Sequence, residues 1–316
     1  MNKIIYSIIV LAAITLTSCN SNDDDIDSGL KDSGITITDD VDCCSAEEAL
    51  QVYNFLKTKK NIPELTKIIN DKYNVFAYSD GGSLHTGYND LYFVATKRVS
   101  SNYVKNFRVE NIIPLMNMPA MNMQHSTAVA DSTQSFNKDY LAVKRAWVAF
   151  VMNSSGKNTW DLSYDLHVLS SKDSVSHRGI SVDSLASGQR WLTSFKVGDK
   201  AYVISLVNPS KWQTGSNTIQ AYISQKATPL TSPWLKANEQ FTVEFIPTMP
   251  DMGNHTSPDN QPLVRQADGS YQGILNLTMT GLWRLHLTVR DSSGNIVAGG
   301  DTASDGFSSL YLNITI

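Results

Sequence analysis

The sequence lacks the short motifs on which large enzyme classes depend. Its 316 residues contain no G-x-S-x-G, no H-E-x-x-H and no glycine-rich phosphate loop. Serine hydrolases of the elbow type, zinc peptidases of the HExxH type and P-loop enzymes are therefore disfavoured. The aspartates Asp80, Asp139, Asp251 and Asp268 are scattered among turn residues, where Asp favours local backbone bonding. We therefore expect a protein that is not an enzyme.

Cysteine is scarce, and basic residues do not cluster. The three cysteines are Cys19, Cys43 and Cys44, and the absence of CxxC spacing disfavours a zinc or thioredoxin-like site. The adjacent Cys43 and Cys44 can pair with another chain in an oxidising compartment, or stay reduced and help to hold a metal. Without a basic patch, no nucleic-acid partner is expected.

One apolar run stands at the N-terminus. Residues 4–16 follow Lys3 and are too few to span a bilayer, which is typical of a secretion signal. The following Leu16-Thr17-Ser18-Cys19 resembles the bacterial lipobox, in which the cysteine becomes lipidated; the alternative is an ordinary cleaved signal. We expect a signal peptide over 1–19, lipidation of Cys19 and stable anchoring to a membrane.

An acidic segment follows the lipobox. Residues 20–42 hold eight Asp and one Lys, a net charge of −7, whereas the folded part is close to neutral. Such runs are usually solvated linkers, so 20–44 is predicted to be a flexible tether. An acidic stretch after a lipidated cysteine also resembles the surface-export signal of some outer-membrane lipoproteins. Both a periplasmic and a surface-exposed location in the bacterial envelope therefore remain open.

A short helical segment is predicted over 45–71. Ser45 and Glu48 have the spacing of a capping box. A helical apolar face follows, formed by Ala49, Leu50, Tyr53 and Leu56. Pro63 is predicted to begin a second short helix, which carries Leu65, Ile68 and Ile69.

The rest of the chain alternates with a period of two. Half-buried strands are predicted where apolar and polar residues alternate, as they do in three runs: Leu91, Phe93 and Ala95; Trp160, Leu162, Tyr164 and Leu166; and Trp283, Leu285, Leu287 and Val289. Many short strands with frequent turns favour an all-β fold of two tandem immunoglobulin-like antiparallel sandwiches, over 72–169 and 193–316. The Ser-, Asp- and Gly-rich residues 170–192 are predicted to link them.

Two stretches repeat the same methionine and histidine pattern. Residues 113–126 read IPLMNMPAMNMQHS and residues 246–256 read IPTMPDMGNHT, so each has Ile-Pro, then Met-Pro-x-Met, then His. Four of the nine methionines fall between Met116 and Met123. Similar flanks, such as Thr-Gly-x-Asn upstream and a Met-to-Trp turn downstream, predict a duplicated domain.

Thioether and imidazole ligands suit Cu(I) better than any hard cation. The pattern therefore predicts a copper site in each copy, with the candidate ligands Met116, Met118, Met121, Met123 and His125 in the first and Met249, Met252, His255 and Met279 in the second. In the first copy, Met152 occupies the position that Met279 has in the second. The alternative is that these methionines only fill the ends of the sandwiches, because Met is a flexible core residue.

The second copy resembles the YtkA-like and FixH-like families of extracytoplasmic immunoglobulin-like domains. The matching residues are Gly215, Asn217, Met249-Pro250-Asp251-Met252-Gly253-Asn254-His255, Gly269, Tyr271 and Met279-Thr280-Gly281-Leu282-Trp283. The first copy keeps Gly87, Asn89, Met118, Pro119, Met121, His125, Met152 and Trp160, with insertions around Met123 and in the glycine turn. The resemblance implies the fold, and a link to copper handling and oxidase assembly in bacterial envelopes.

Two classes of function follow. The first is an anchored copper carrier or chaperone, and the second is a metal-free interaction or accessory module of an outer-membrane or surface complex. Methionines gathered with His125 and His255 at an open end of each sandwich would favour the carrier. Methionines pointing into the core would favour the interaction module.

Overall fold

A computed structural model describes residues 46–136, 142–300 and 308–316. Within these residues the chain is mostly β-structure, nearly all of it antiparallel, and is preceded by one α-helix, which confirms the predicted all-β class. No helix among them is both long and apolar enough to cross a bilayer. The predicted signal peptide, Cys19, the tether, Cys43 and Cys44 lie outside the described residues.

The first sandwich contains thirteen of the described strands. They are β1 Lys60–Asn61, β2 Lys67–Ile69, β3 Tyr73–Ser79, β4 Leu84–His85, β5 Gly87–Lys97, β6 Phe107–Met118, β7 Met123–His125, β8 Ala128–Val129, β9 Gln134–Ser135, β10 Lys144–Phe150, β11 Thr159–Val168, β12 Ser171–Ile180 and β13 Val182–Asp183. One sheet has the order β1-β3-β5-β10-β8, with β2 on β3 and β9 on β10. The facing sheet has the order β12-β11-β6-β7, and β4 pairs with β13.

The second sandwich contains the other ten. They are β14 Leu192–Val197, β15 Lys200–Leu206, β16 Gly215–Gln225, β17 Thr242–Met249, β18 His255–Thr256, β19 Gln261–Arg265, β20 Tyr271–Leu277, β21 Leu282–Arg290, β22 Ile296–Gly299 and β23 Tyr311–Thr315. Strand β19 pairs with β20 along one edge and with β17 along the other, so it crosses between the strands β14-β15-β16-β20 and the strands β17-β21-β22 in one continuous hydrogen-bonded order. The irregular register between Gln261 and Val264 marks the crossing.

The predicted alternating faces form the two cores. Leu91, Phe93 and Ala95 are fully buried, as are Trp160, Leu162 and Leu166 of β11 and Trp283, Leu285 and Val289 of β21. Strand β5 is buried on its other face too, because helix α1 (Ala46–Lys57) covers it. Ala49, Val52 and Leu56 of the helix pack there against Tyr92 and Val94.

The structure differs from two predictions, the second short helix from Pro63 and the linker over 170–192. Pro63–Leu65 form only a 3-10 turn, and Lys67–Ile69 form a strand on β3, because Ile68 and Ile69 are β-branched and have an open sheet edge to join. The predicted linker 170–192 contains the strand Ser171–Ile180, which pairs with β11. This strand lies at a sheet edge and is largely exposed, so its composition is polar like that of a loop.

The two sandwiches repeat one hydrogen-bond pattern around an asparagine. The Asn89 amide donates to the carbonyls of His85 and Gly87 (2.7 and 2.9 Å) and accepts from the His85 N–H. The Asn217 amide makes the same three bonds, to Gln213 and Gly215. Both glycines have positive φ, +90° and +97°, a conformation that glycine adopts without strain. The Thr-Gly-x-Asn repeat therefore encodes one local structure twice.

The sandwiches are also packed against each other. The Trp147 ring of the first stacks on the Tyr222 ring of the second, with centroids 4.5 Å apart. Asp80 of the first sandwich pairs with Lys211 of the second. Val203, Val207, Tyr222 and Trp234 of the second sandwich belong to the core of the first. The core of the first sandwich is therefore completed by side chains of the second.

The Asn89→Ala substitution is expected to destabilise the chain by about 1–3 kcal/mol, because it leaves buried backbone groups without partners. Asn217 is more exposed, so Asn217→Ala is the matched control and should cost less, since water can replace the amide. Urea unfolding of both variants measures the difference. An equal or larger loss for Asn217→Ala would contradict this account.

The burial of His177 in β12 predicts that the free energy of unfolding depends on pH. Burial lowers the pKa of this imidazole to about 4, and its Nε2 lies 3.2 Å from the Tyr164 hydroxyl. Between pH 6.5 and 4 the unfolded chain therefore binds a proton that the folded chain does not, and stability falls as pH falls. Going from pH 7 to pH 5 should cost about 2 kcal/mol through this residue. His177→Gln should remove that part of the pH dependence in urea unfolding at the two pH values; an unchanged dependence would refute the assignment.

Candidate functional site

The first methionine motif forms a hairpin at one end of its sandwich. Strand β6 ends at Met118, Pro119–Met121 form a 3-10 turn, and Asn122 takes the left-handed conformation with φ 47° before β7 begins. Met116 lies opposite His125, and Met118 lies opposite Met123. Because alternate residues of a strand share a face, these four side chains lie on one face of the hairpin.

The His125 ring has a defined orientation within this hairpin. Its Nδ1 lies 2.8 Å from the Ser126 carbonyl oxygen, and its Nε2 lies 3.4 Å from the Met152 sulfur. A carbonyl only accepts, so Nδ1 carries the hydrogen and Nε2 of the neutral ring keeps its lone pair. The Trp160 indole N–H holds the Met152 turn by donating to the Met152 carbonyl at 3.0 Å. An imidazole nitrogen and a thioether sulfur are thus directed at each other.

The methionines of the first hairpin divide into two sets. Met116 and Met118 are buried, whereas Met121 and Met123 are 58% and 42% exposed. Met121 lies in the 3-10 turn, beyond the paired residues. Met116, Met118 and His125 therefore lie on the packed part of the shared face, whereas Met123 lies on that face next to the turn and Met121 lies in the turn.

The second motif forms a shorter and more open hairpin. Met249 lies opposite His255, with the 3-10 turn Pro250–Met252 and a left-handed Gly253 between them. Met249 is buried, Met252 is 56% exposed and His255 is exposed. The Met249 methyl group lies so close to Gly281 that a Cβ there would approach it to 2.8 Å.

The turn that carries Met279 is held as in the first sandwich. The Trp283 indole N–H donates to the Met279 carbonyl at 2.9 Å, which corresponds to the bond between Trp160 and Met152. The His255 Nε2 faces the Thr278 hydroxyl at 3.3 Å rather than a sulfur. The same types of side chain are gathered, but the described residues show no imidazole–sulfur contact in this sandwich.

Strand pairing changes how the two motifs correspond. Pro114 lies opposite Leu162 and Pro247 opposite Leu285, so the two Ile-Pro leads are equivalent. Met116 lies opposite Trp160, and Met249 is one residue beyond Thr248, which pairs with Arg284. Met249 therefore corresponds to Met116, and the sequence alignment of Met249 with Met118 is wrong. The longer first hairpin carries its Met-Pro turn two residues further out.

The chemistry of the donor set fits a soft ion. In residues 46–136, 142–300 and 308–316, no three His, Cys, Asp or Glu side chains come together as a metal site; the donors gathered at the two hairpins are thioethers and imidazoles. Thioether and imidazole ligands suit Cu(I). Nitrogen and sulfur atoms 3.4 Å apart can both bind one ion at the ligand distances of about 2.0 and 2.3 Å known for a d¹⁰ metal.

The comparisons with known proteins concern the second sandwich. The model of the YtkA-like family matches residues 196–288. Residues 196–288 thus form a YtkA-like domain, which includes Met249, Met252, His255, Met279 and Trp283. A comparison with curated proteins finds no match.

Sequence reasoning missed one aromatic residue of the first site. Trp234 belongs to the YtkA-like domain, but its ring lies over His125 of the first sandwich, with centroids 6.2 Å apart and planes 23° apart. The segment that carries it, residues 226–241, is longer than the corresponding connection 98–106 of the first sandwich, which contains no tryptophan. Repeat comparison therefore offered no signal for it, and only the packing of the two sandwiches brings it to His125.

The hydrogen bond to Ser126 predicts the tautomer of His125. In the metal-free protein at pH 8 we expect the hydrogen on Nδ1, because the carbonyl it faces cannot donate. Long-range ¹H–¹⁵N NMR of the imidazole measures this directly. A hydrogen on Nε2, donated to the Met152 sulfur, would contradict the assignment of a free lone pair. His255 provides the comparison, because no carbonyl partner is described for its Nδ1.

Proposed function

We propose that this chain is an anchored envelope lipoprotein that binds Cu(I) through the Met/His groups of its two sandwiches and acts as a copper carrier or chaperone. The observation that carries the proposal is the 3.4 Å approach of the His125 Nε2 to the Met152 sulfur. Two acceptor atoms directed at each other gain little from contact with one another. A soft cation held by both would convert this arrangement into a stable one.

The ligands of the first site would come from the inner side of its hairpin. His125 and Met152 supply nitrogen and sulfur, and Met116 lies directly across the hairpin from His125. Met118 is the next residue of that strand on the same face, and its partner Met123 is exposed beside the turn. The exposed Met121 would meet a copper ion at the tip, where solvent reaches the hairpin.

The second site would use the same residue types in an open arrangement. Met249 and His255 face each other across the hairpin, and Met279 is held by Trp283. Met252 and His255 are exposed. This openness supports exchange of the ion with a partner, whereas the first site supports retention.

The duplication supports one kind of site in both sandwiches. We infer that the first sandwich is a diverged YtkA-like copy, because the Asn89 and Asn217 networks and the two Trp-to-Met carbonyl bonds are equivalent. The resemblance to YtkA-like and FixH-like domains implies copper handling in a bacterial envelope. Lipidation of Cys19 would anchor such a carrier to the outer membrane, facing the periplasm or the outside, where it would meet an envelope protein partner.

A metal-free interaction module is the alternative, and the burial of three methionines favours it. Met116, Met118 and Met249 are at most 5% exposed, and packing alone accounts for a buried methionine. In that case the exposed Met121, Met123 and Met252 would contact a protein partner. A measurement of Cu(I) binding distinguishes the two functions, because only the carrier requires it.

Anaerobic Cu(I) titration of residues 20–316 against a coloured chelator tests the proposal. We expect two equivalents to be held. His125→Gln with Met152→Leu should remove one, and His255→Gln with Met279→Leu should remove the other, because each pair of changes removes both kinds of donor from one site.

The matched control changes methionines at the tip of the first hairpin. Met121→Leu with Met123→Leu keeps side-chain volume, and we expect it to slow copper uptake while leaving the stoichiometry at two. Loss of a whole equivalent in this control would assign the site to the tip instead. No copper retained by the unaltered protein would refute the carrier and leave the interaction module.

A further inference from the structure

A segment of the YtkA-like domain is hydrogen-bonded onto the first hairpin. The Ser126 N–H donates to the Leu230 carbonyl at 2.7 Å, the Trp234 N–H donates to the Thr127 carbonyl at 3.0 Å, and the Val129 N–H donates to the Trp234 carbonyl at 3.1 Å. Three backbone bonds next to His125 therefore belong to the other sandwich. They fix Trp234 relative to the candidate site as firmly as a neighbouring strand would.

The Trp234 ring completes an aromatic enclosure around His125. The Trp160 ring of the first sandwich stands edge-on to the imidazole, with centroids 5.5 Å apart and planes 86° apart, while the Trp234 ring lies nearly parallel to it. Trp234 is only 3% exposed. A cavity of about 440 Å³ opens beside the turn between Met118, Met123 and Thr231, so the second sandwich also lines the approach to the hairpin.

Hydrogen bonding does not account for an indole at this position. The Trp234 Nε1 is buried, and it has no hydrogen-bond partner among the described residues. A buried donor without a partner is unfavourable, and an apolar ring of similar size would avoid that cost. What Trp supplies beyond such a ring is a π face of high electron density, which attracts cations more strongly than Phe does. The Lys226 ammonium already lies 5.2 Å from the centre of this ring.

We propose that the first copper site is composite: Trp234 of the second sandwich stabilises the ion held by His125 and Met152 of the first, through its π face. The inference rests on the proposed function. The second site would differ, since its own Trp283 ring lies 6.4 Å from His255 and tilted by 56°, with no second indole recorded against that imidazole within the described residues. Retention of copper by the first sandwich would therefore depend on the docking of the second sandwich, which supplies Trp234.

The test isolates the first site in the His255→Gln, Met279→Leu protein over residues 20–316. In that background, Trp234→Leu is expected to weaken Cu(I) binding by about 2- to 30-fold, the range that a cation–π contact supplies. Trp234→Phe should lose less, because it retains a π face. Trp212→Leu is the matched control, since Trp212 is a partly buried tryptophan that packs against the core of the second sandwich, and it should leave affinity unchanged.

A spectroscopic measurement separates a contact with the ion from simple packing. Cu(I) addition should perturb the near-ultraviolet absorption of nearby indoles, and Trp234→Phe should reduce that change while Trp212→Phe should not. Equal loss of affinity in the Phe and Leu variants, or an undiminished absorption change in Trp234→Phe, would overturn the proposal, because either would reflect packing alone. Failure of the background protein itself to bind Cu(I) would instead refute the first copper site and the composite site with it.

Discussion

The candidate site depends on the register in which each hairpin strand pairs with the strand that carries Trp160 or Trp283. Strand β6 pairs with β11 and β17 pairs with β21, and a slip of one residue would turn every side chain to the opposite face. The register is held where Trp160 and Trp283 are fully buried and donate to the Met152 and Met279 carbonyls. One interaction thus anchors the core and positions a thioether at the end of each sandwich.

The two copies use this common frame differently. The first hairpin is longer, its His125 is partly buried, and the second sandwich covers it with Trp234. The second hairpin is short, and its His255 and Met252 are exposed. Burial strengthens the interaction of a bound ion with its ligands and slows exchange, whereas exposure favours transfer. Under the proposed function, the two sandwiches in this way combine one site for holding an ion with one for exchanging it.

Docking of the sandwiches is therefore as important as either sandwich alone. Tyr88, Trp147 and Tyr222 stack across the contact, and Arg145 beneath them donates to the Asp90 carboxylate at 2.7 Å. Burial raises the pKa of Tyr88 well above its usual value, with a further contribution from the neighbouring Asp90 carboxylate. The hydroxyl thus stays protonated and donates to Asp90. This satisfied polar network holds the Tyr88 ring in place for its stacking against Tyr222 of the second sandwich.

The sequence by itself determined the strand class, the core faces and the residue types of the site. Period-two alternation marks Leu91, Trp160 and Trp283 as inward-facing, because a strand places alternate residues on opposite faces. Local pattern could not determine what each segment pairs with. The polar edge strand Ser171–Ile180 therefore looked like a linker, and Met118 rather than Met116 looked equivalent to Met249. Only the tertiary structure brought Met152 to His125 and laid Trp234 over it, since those contacts arise from strand register and from the docking of two domains, which no local period records.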